Sequence, residues 1–428
     1  MRRDAIEHEV TMHIVFFLRH FNDLDNILPV IDFALSSERD LRVSIVSYST
    51  NINLSDNRLL NYIIGKYPTR SRFAWVMEMG SVAKRGSGIG LLAHEFRDLF
   101  RIWQRRSKAY ESQVRGDSSN SLLEEFLREQ VWDWGSPITV AFDQNRMAAV
   151  RGLVECCRRL GARNVVSLPV SPWMNINVLR QKNRVLIDSD IFARVHDFSG
   201  YDKIGQTDLN YAQNVKRFFQ ILNKESPFGN RVFCLGSLRY TDEWIKKRRK
   251  IMRGSDVSVK VGQSGDEILL LPSHQKNNSF WDEFVRTVSF LTNFPQIQFL
   301  LKPHTRHGSA GLELLPNVEM CASADTGLLI ERADVIAFWS SSSAIEGFMC
   351  DKTMIRLEYL NGNYSAYKKL QLGYECLSRD DLFYVLLDEN ERNRARLQCE
   401  YAKSRVISEI VGGSYEQVGE KYLEFLLS

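Results

Sequence analysis

The sequence predicts an α/β protein with two Rossmann-like, doubly wound domains that face a central cleft. A strand-like run, a helical pattern and a second strand-like run follow one another within residues 12–49, which is the signature of a βαβ unit and a parallel sheet. A second series of this kind begins at Glu267. The strands are rich in β-branched and aromatic residues without polar alternation, which is typical of a sheet covered by helices on both faces. A length of 428 residues suits two large domains.

In the first half of the chain, apolar runs bounded by polar residues mark the strands. Helical periodicity over residues 24–34 separates the first two of them. The stretch between residues 91 and 131 favours helix and is predicted to be an insertion of two helices. Strands are predicted over residues 12–20, 41–49, 137–143, 164–170 and 231–237.

The second half repeats the pattern. An amphipathic helix is predicted over residues 280–294, with Phe284, Val288 and Leu291 on one face, and another helix opens in the serines at Ser341. Strands are predicted over residues 267–274, 296–304, 317–322, 333–339 and 353–360.

The connector between the two series, residues 241–266, is a helix followed by a polar segment with glycine and serine. The domain boundary is therefore placed there. The predicted division is a flexible N-terminus (1–11), a first domain (12–254), a second domain (255–400) and a C-terminal helix (401–428) that packs back.

Composition and charge exclude several classes of protein. The hydrophobic fraction is 44% and the charged fraction 25%, as in ordinary globular domains. A net charge of +4 over so long a chain is too mild to indicate a nucleic-acid partner. The seven cysteines form no CxxC pair, which favours reduced thiols over a disulfide scaffold or a zinc site. Neither a signal peptide nor a membrane span is recognisable, so the expected location is the cytoplasm.

Two tandem domains of this kind place a ligand cleft between the carboxyl ends of their sheets. Periplasmic binding proteins share this arrangement, but the missing signal peptide disfavours them. A two-domain dehydrogenase would carry GxGxxG after its first strand. The one glycine cluster, GSGIG from Gly86, has the wrong spacing and is interpreted as a loop.

Polar residues at two strand exits of the second half are candidates for phosphate binding. His304 follows Lys302 and Pro303 where a strand ends, and its imidazole can donate to a phosphate oxygen. Four serines, Ser340, Ser341, Ser342 and Ser343, follow a later strand and open a helix. Serine is a good N-cap, and a helix N-terminus also favours anions. Glu346, in the first turn, either accepts hydrogen bonds from ribose hydroxyls or only compensates the helix dipole.

Together these elements resemble the nucleotide-binding half of GT-B glycosyltransferases. Within that fold, residues 267–360 look most like enzymes that use CMP- or CDP-linked donors: bacterial sialyltransferases, Kdo transferases and polyol-phosphate polymerases. The resemblance implies that His304 and the serines bind the donor phosphate. The chain departs from the pattern at Thr305, where proline is common, and at Thr353, where a Gly-Lys-Pro turn is usual.

A second resemblance lies at the domain boundary. VFCLGSLRYTDEW, residues 232–244, is similar to the segment of retaining β-Kdo transferases of O-antigen, lipopolysaccharide and capsule assembly that contributes a catalytic aspartate. It implies that Asp242 is the nucleophile, although an N-cap role is the alternative. LPSHQKNN, residues 271–278, resembles the neighbouring donor loop. The donor-binding residues implied in these two segments are Arg239, Ser273, His274 and Lys276.

The chemistry of such a donor explains these residue types. Kdo carries a carboxylate beside its anomeric carbon, so a cation is needed, and Arg239 or Lys276 can serve. Retention through two displacements needs a carboxylate nucleophile. The CMP leaving group needs stabilisation of phosphate charge, which His304 and the serines provide. The acceptor hydroxyl needs a base, and Asp143, at the end of a first-domain strand, is the candidate.

Neither a metal nor another cofactor is expected. Asp188, Ser189 and Asp190 mimic a metal-binding DxD but lie in the first domain, away from the expected phosphate site. Two basic stretches, residues 246–250 and 101–108, are interpreted either as solvated helix faces or as surfaces that attract anionic lipid. Peripheral attachment to the cytoplasmic face of the bacterial inner membrane is thus an open alternative.

The sequence therefore favours a metal-independent, retaining glycosyltransferase. It would move Kdo or a related ulosonic acid from a CMP-activated donor to an oligosaccharide or lipid-linked glycan of a surface polysaccharide. Two alternatives stay open: a polyol-phosphate transferase that uses CDP-glycerol or CDP-ribitol, and a non-catalytic module that binds nucleotide or glycan.

Overall fold

The computed structural model describes residues 12–48, 54–75, 117–135, 137–143, 147–169, 175–176, 180–181, 184–185, 200–207, 231–253, 267–273, 280–303, 316–362 and 364–428. Several features named above lie outside these residues. They are His304, His274, Lys276, the glycine cluster at Gly86, the triplet 188–190 and the basic stretch 101–108.

The described part of the first half alternates strands and helices, and a 3-10 turn at Leu238–Tyr240 precedes its last helix. In chain order the elements are β1 (Met12–Leu18), α1 (Phe21–Ser36), β2 (Leu41–Ser47), α2 (Arg58–Lys66), β3 (Ser71–Trp75), α3 (Asp117–Gln130), β4 (Thr139–Phe142), α4 (Met147–Arg159), β5 (Asn164–Ser167), β6 (Asn175–Ile176), β7 (Arg180–Gln181), β8 (Arg184–Val185), β9 (Lys203–Gln206), β10 (Val232–Cys234) and α5 (Asp242–Arg253).

The second half has the same alternation and ends in helices. A π-helical segment, Ile407–Val411, separates the last two of them. The elements are β11 (Glu267–Leu271), α6 (Trp281–Leu291), β12 (Gln298–Leu301), β13 (Val318–Met320), α7 (Thr326–Arg332), β14 (Val335–Phe338), α8 (Ala344–Met349), β15 (Thr353–Leu357), β16 (Tyr364–Ser365), α9 (Ala366–Lys369), β17 (Tyr374–Cys376), α10 (Arg379–Leu387), α11 (Glu389–Val406) and α12 (Tyr415–Leu427).

Two parallel sheets organise these elements. The first has the strand order β10-β9-β5-β4-β1-β2-β3, and the second has the order β13-β12-β11-β14-β15-β17. In the first sheet the chain moves from β1 to β2 and β3 on one side and then returns to β4 on the other side, so the strand order reverses between β1 and β4. In the second sheet it reverses between β11 and β14. Ligands of open α/β sheets bind at such switch points, beyond the carboxyl ends of the strands.

Helices cover both faces of each sheet, as the unbroken apolar strands require. Consecutive residues of β1 alternate between two cores: Phe16 packs with α1 and α12, whereas Phe17 packs with α3 and α4. In β11, Leu269 faces α8 and α11, whereas Leu270 faces α6 and α10. The predicted fold class is thereby confirmed.

The C-terminal helices cross back, as predicted. Helix α11 packs on β15 and α8 of the second domain, whereas α12 returns to α1 and β4 of the first. Val418, Leu423 and Leu426 of α12 are fully buried in the core that α1 helps to form. The last helix therefore completes the first domain rather than the second.

The observed strands differ from the predicted ones mainly at their ends. The predicted strands end several residues too late, because the polar exit residues leave the sheet: β10 ends at Cys234 and β12 at Leu301. The sequence did not predict β3, β9 or β17. Of these, β3 and β17 are short edge strands, and β3 keeps three of its five residues partly exposed, so their apolar pattern is weak. Of the two helices predicted between residues 91 and 131, α3 lies in the described part.

Candidate functional site

The serine turn, residues 340–343, lies at the switch point of the second sheet. Strands β11 and β14 are neighbours in register, with Leu271 beside Phe338. The residues that follow them, Ser273 on one side and the serine turn on the other, therefore leave the sheet at adjacent points of its carboxyl edge. Ser273 is buried and the four serines are half-buried. The structure thus brings together two of the segments that the sequence assigned to the donor.

The serine turn is held from behind by two tyrosines. The Tyr240 hydroxyl donates to the Ser342 carbonyl over 3.1 Å, and the Tyr367 hydroxyl donates to the Ser341 carbonyl over 2.6 Å. Burial raises the pKa of both phenols, so both remain donors at neutral pH. These bonds fix the backbone of the turn before any ligand arrives, which lowers the entropic cost of binding.

The serine hydroxyls do not cap the helix that they open. Ser343 is the N-cap of α8, but its side chain makes no capping hydrogen bond. The first amides of α8 instead donate to the carbonyls of the turn: Ala344 to Ser341 over 3.1 Å and Ile345 to Ser342 over 3.2 Å. Helix α8 has only six residues, so its dipole is small. An anion at this turn would depend on the hydroxyl groups more than on the helix dipole that the sequence suggested.

Lys302, predicted to contact the donor, bonds backbone carbonyl groups in this structure. Its ammonium donates to the carbonyls of Ala322 and Ala324, both over 2.7 Å. Burial lowers the pKa of this ammonium. Lys302 therefore anchors the loop between β13 and α7 to the end of β12. Strand β12 lies next to β11 in the sheet, so this end of the chain segment reaches the sheet edge beside β11.

Asp242 begins α5 close to the serine turn. Its exposed side chain stands two residues after Tyr240, which bonds to Ser342. The approach to this helix depends on Gly236, whose φ is +81° and where a Cβ would lie 2.2 Å from the Val411 carbonyl oxygen. The same carbonyl accepts a hydrogen bond from the Ser237 amide over 2.9 Å. A glycine is required here because backbone from the C-terminal region packs directly on the turn.

Arg239 is neither exposed in the cleft nor part of a surface ion pair. It is 6% exposed, with its guanidinium 3.6 Å from Asp25 of α1 and beside the Tyr240 ring. Its Nε is buried and has no hydrogen-bond partner among the described residues. The side chain thus holds an incompletely satisfied positive charge beneath the start of α5.

Glu346 occupies a buried ion pair that the sequence did not indicate. It is 2% exposed, and its carboxylate lies 3.1 Å from Arg248 of α5. Arg248 also bonds Asp325, the N-cap of α7, over 2.6 Å. Although burial opposes its charge, Glu346 and then Asp325 raise the pKa of Arg248 above its ordinary value. Arg248 bonds Oε2 of Glu346, whereas Oε1 is buried and has no hydrogen-bond partner among the described residues, so the predicted ribose contact stays a prediction.

Three of the five cations in the basic stretch of α5 make contacts inside the protein. Lys247 pairs with Asp32 of α1, Arg248 with the two acids just described, and Arg249 bonds the Cys350 sulfur over 2.9 Å. Lys246 and Lys250 remain exposed. Helix α5 therefore joins the two domains through its cations.

Asp143 ends β4 at the switch point of the first sheet, as predicted. Its carboxylate accepts hydrogen bonds from the Tyr48 hydroxyl over 2.7 Å and from the Arg19 amide over 3.2 Å. It is 1% exposed, and Asp23 of α1 lies against it. The sequence analysis missed Arg19, Asp23 and Tyr48, although Arg19 and Tyr48 directly follow strands and so carry the same signal that identified Asp143.

The described ranges contain neither a cluster of metal ligands nor a membrane-spanning helix. Within those ranges, no group of three or more His, Cys, Asp or Glu side chains is placed to hold a metal ion. None of the helices in them is long and apolar enough to cross a bilayer. The predicted absence of a metal or cofactor stays a prediction.

Comparison with known proteins shows the fold. A Methanocaldococcus jannaschii UDP-GlcNAc 2-epimerase in complex with UDP-GlcNAc and UDP matches with a TM-score of 0.54 and 13% identity, over 97% of this chain and 99% of that chain. A Rickettsia africae glycosyltransferase matches at 0.51 and 12%, over 97% and 98%. The wall teichoic acid polymerase TagF, solved with CDPG, matches at 0.51 and 9%, over 98% and 90%.

These likenesses define the structural class. The chain has the two-domain, GT-B-like α/β fold that glycosyltransferases share with UDP-GlcNAc 2-epimerases. No protein-family model matches it, and no curated protein matches it. Identities this low establish the fold, and the activity must be argued from the site.

Proposed function

We propose that this protein is a glycosyltransferase that uses a nucleotide-activated sugar, with the donor phosphate at the serine turn. One observation carries the proposal: Ser273 and Ser341–Ser343 leave adjacent strands at the switch point of the second sheet, beside the helix that begins with Asp242. Free hydroxyl groups on a pre-fixed backbone are suited to phosphate oxygens. His304 comes after β12 in the sequence, and β12 is the neighbour of β11 in the sheet. Its imidazole is proposed as a further hydrogen-bond donor to the phosphate.

The proposed donor is CMP-Kdo or a related CMP-activated ulosonic acid. Asp242 is the proposed nucleophile, since its side chain is exposed and stands in the first turn of α5. It would form a covalent sugar intermediate and so give retention. Arg239, Lys276 and His274 are proposed to surround the sugar carboxylate. What supports Arg239 is that its buried Nε has no hydrogen-bond partner among the described residues, although Asp25 lies 3.6 Å from the guanidinium.

The acceptor side is proposed to lie in the first domain, at the carboxyl edge that contains Asp143. The proposed acceptor is a surface oligosaccharide or lipid-linked glycan, reached from the cytoplasm or from the cytoplasmic face of the inner membrane. The proposal needs neither a cofactor nor a metal, because the departing CMP phosphate would be stabilised by hydroxyl and imidazole donors.

A polyol-phosphate transferase is the second candidate, and the likeness to TagF with CDPG favours it. It would use the same serine turn for a CDP-linked donor but would have no role for Asp242 as a sugar nucleophile. Turnover of CDP-glycerol without turnover of CMP-Kdo would select this candidate. A non-catalytic module would bind nucleotide and turn over neither donor.

Nucleotide binding at the serine turn makes a direct prediction. CMP at 100 times its dissociation constant stabilises the folded protein by about 2.7 kcal/mol, which appears as a rise in melting temperature. The double variant Ser342→Ala, Ser343→Ala should need at least about 10²-fold more CMP for the same rise, because two hydroxyl donors to a charged phosphate are lost, each worth about 1.5–3 kcal/mol.

The matched control is Ser289→Ala, which removes an exposed serine hydroxyl of α6. It should respond to CMP as the original protein does. Comparison of CMP, CDP and UDP in the same assay identifies the nucleotide. An unchanged CMP response in the double variant would remove the serine turn from the donor site.

A further inference from the structure

The first-domain switch point contains a group of four ionisable side chains, three buried and one half-buried, to which the donor chemistry assigns no role. They come from three neighbouring strand ends and the helix that follows β1: Arg19 after β1, Asp23 in α1, Tyr48 after β2 and Asp143 after β4. Asp23 and Asp143 are each 1% exposed. The protonation of two carboxyl groups buried side by side has to be explained, because a low-dielectric site cannot accommodate two adjacent negative charges.

The consecutive amides of Arg19 and His20 donate to Asp143 Oδ2 and Asp23 Oδ2, which brings the two buried carboxyl groups into contact. Carboxylates only accept hydrogen bonds, so such a contact requires a proton on one of them. The surroundings decide which one carries it. Asp143 accepts from the Tyr48 hydroxyl and the Arg19 amide, and both bonds stabilise a negative charge. Asp23 accepts from the His20 amide over 2.7 Å through Oδ2.

We propose that Asp23 and Asp143 share one proton and act as the proton-accepting pair for the acceptor hydroxyl, with Asp23 the protonated, positioning member and Asp143 the charged, catalytic member. The inference rests on the proposed function, whose base it specifies. With Arg19 charged, one carboxylate and one neutral acid, the group has no net charge, which is the inexpensive state for a buried site.

Asp143 can accept one further hydrogen bond, from a substrate. A carboxylate offers about four lone-pair positions, and Tyr48, Arg19 and Asp23 occupy three of them within the described residues. In the transfer step, the acceptor hydroxyl would bond the fourth. Its oxygen electron pair forms the new bond to the anomeric carbon, the bond from that carbon to its departing group breaks, and the hydroxyl proton passes to Asp143. The pair is then doubly protonated and returns one proton to solvent.

The electrostatics agree with this assignment. Burial, followed by the Asp143 charge, raises the pKa of Asp23 well above its ordinary value, with Arg19 opposing the rise. Burial and Asp143 also raise the pKa of Tyr48, so its hydroxyl stays a donor. Because the folded protein holds a proton that the unfolded chain releases, its free energy of unfolding should fall as pH rises from about 4 toward the raised pKa of Asp23.

Infrared spectroscopy at neutral pH tests the shared proton directly. The original protein should show the carbonyl stretch of a buried, protonated carboxyl group, and Asp23→Asn should lack it. The control Asp202→Asn removes a surface carboxylate that pairs with Arg158, and it should leave that band unchanged. Identical spectra for the original protein and Asp23→Asn would overturn the proposal, whether or not the protein transfers any sugar.

Transfer assays distinguish the role of Asp23 from the role of Asp143. An asparagine at position 23 still donates to Asp143 and accepts from His20 but cannot titrate, so the transfer that remains in Asp23→Asn should lose the decline in rate at alkaline pH. A merely structural role for Asp23 would leave the shape of the pH profile unchanged. Asp143→Asn should lose transfer by about 10²-fold or more, the usual contribution of a general base. Transfer by Asp143→Asn at the original rate would overturn the catalytic role.

Discussion

Replacing Arg248 by methionine should lower the free energy of unfolding by about 3–5 kcal/mol, the largest stability change expected in the molecule. The guanidinium is 5% exposed and contacts Glu346 of α8 and Asp325 at the start of α7. Its removal takes the closest cation from Asp325 and Glu346 in a site from which water is largely excluded, and leaves only Arg249, 3.7 Å from Glu346, beside that acid. Methionine fills a similar volume, so the loss reports charge rather than a cavity. Urea denaturation measures it.

Lys250→Met is the matched control, because it removes a cation from the exposed face of the same helix. It should change stability by no more than about 0.5 kcal/mol. Combining Arg248→Met with Glu346→Gln should recover part of the loss, since one of the uncompensated charges is then absent. Equal effects of Arg248→Met and Lys250→Met would show that the buried ion pairs do not hold α5 between the domains.

Asp242→Ala should reduce sugar transfer by about 10³-fold or more, because a retaining enzyme without its nucleophile loses the covalent route. The fold should be unaffected, since the side chain is exposed at the first turn of α5. Steady-state rates with CMP-Kdo and a glycan acceptor measure the loss. Glu243→Ala, which removes the adjacent exposed acid from the same helix turn, should keep its rate within a few-fold.

Mass spectrometry tests the role of Asp242 as nucleophile independently of the transfer rate. After exposure to donor without acceptor, the original protein should carry a sugar adduct on the peptide that contains Asp242, and Asp242→Ala should carry none. Undiminished transfer by Asp242→Ala would contradict the double-displacement mechanism while leaving the nucleotide site standing.

The sequence predicted those parts of the structure that depend on local pattern. The central strands of both sheets are continuous apolar runs, and a polar residue at a strand end has to leave the sheet at its carboxyl edge. Ser273, Ser341 and Asp143 could therefore be placed at switch points before the sheet order was known. The strand order itself follows from short right-handed crossovers, which leave few alternatives.

Long-range pairing of charges is the part of the structure that local sequence pattern could not predict. Nothing near Arg248 in the sequence indicates that Glu346, almost a hundred residues later, neutralises it. The hydrogen bonds that Lys302 donates to two carbonyls some twenty residues away are equally invisible in the local sequence. Edge strands such as β3 were missed because a half-exposed strand needs fewer apolar residues than a central one.

The position of bound CMP in a crystal structure is the most direct test of the central claim. The claim predicts its phosphate oxygens within about 3 Å of the Ser342 and Ser343 hydroxyls, at the carboxyl ends of β11 and β14. A phosphate bound instead at the edge of the first sheet, near Arg19 and Asp143, would contradict the assignment of donor and acceptor to the two domains.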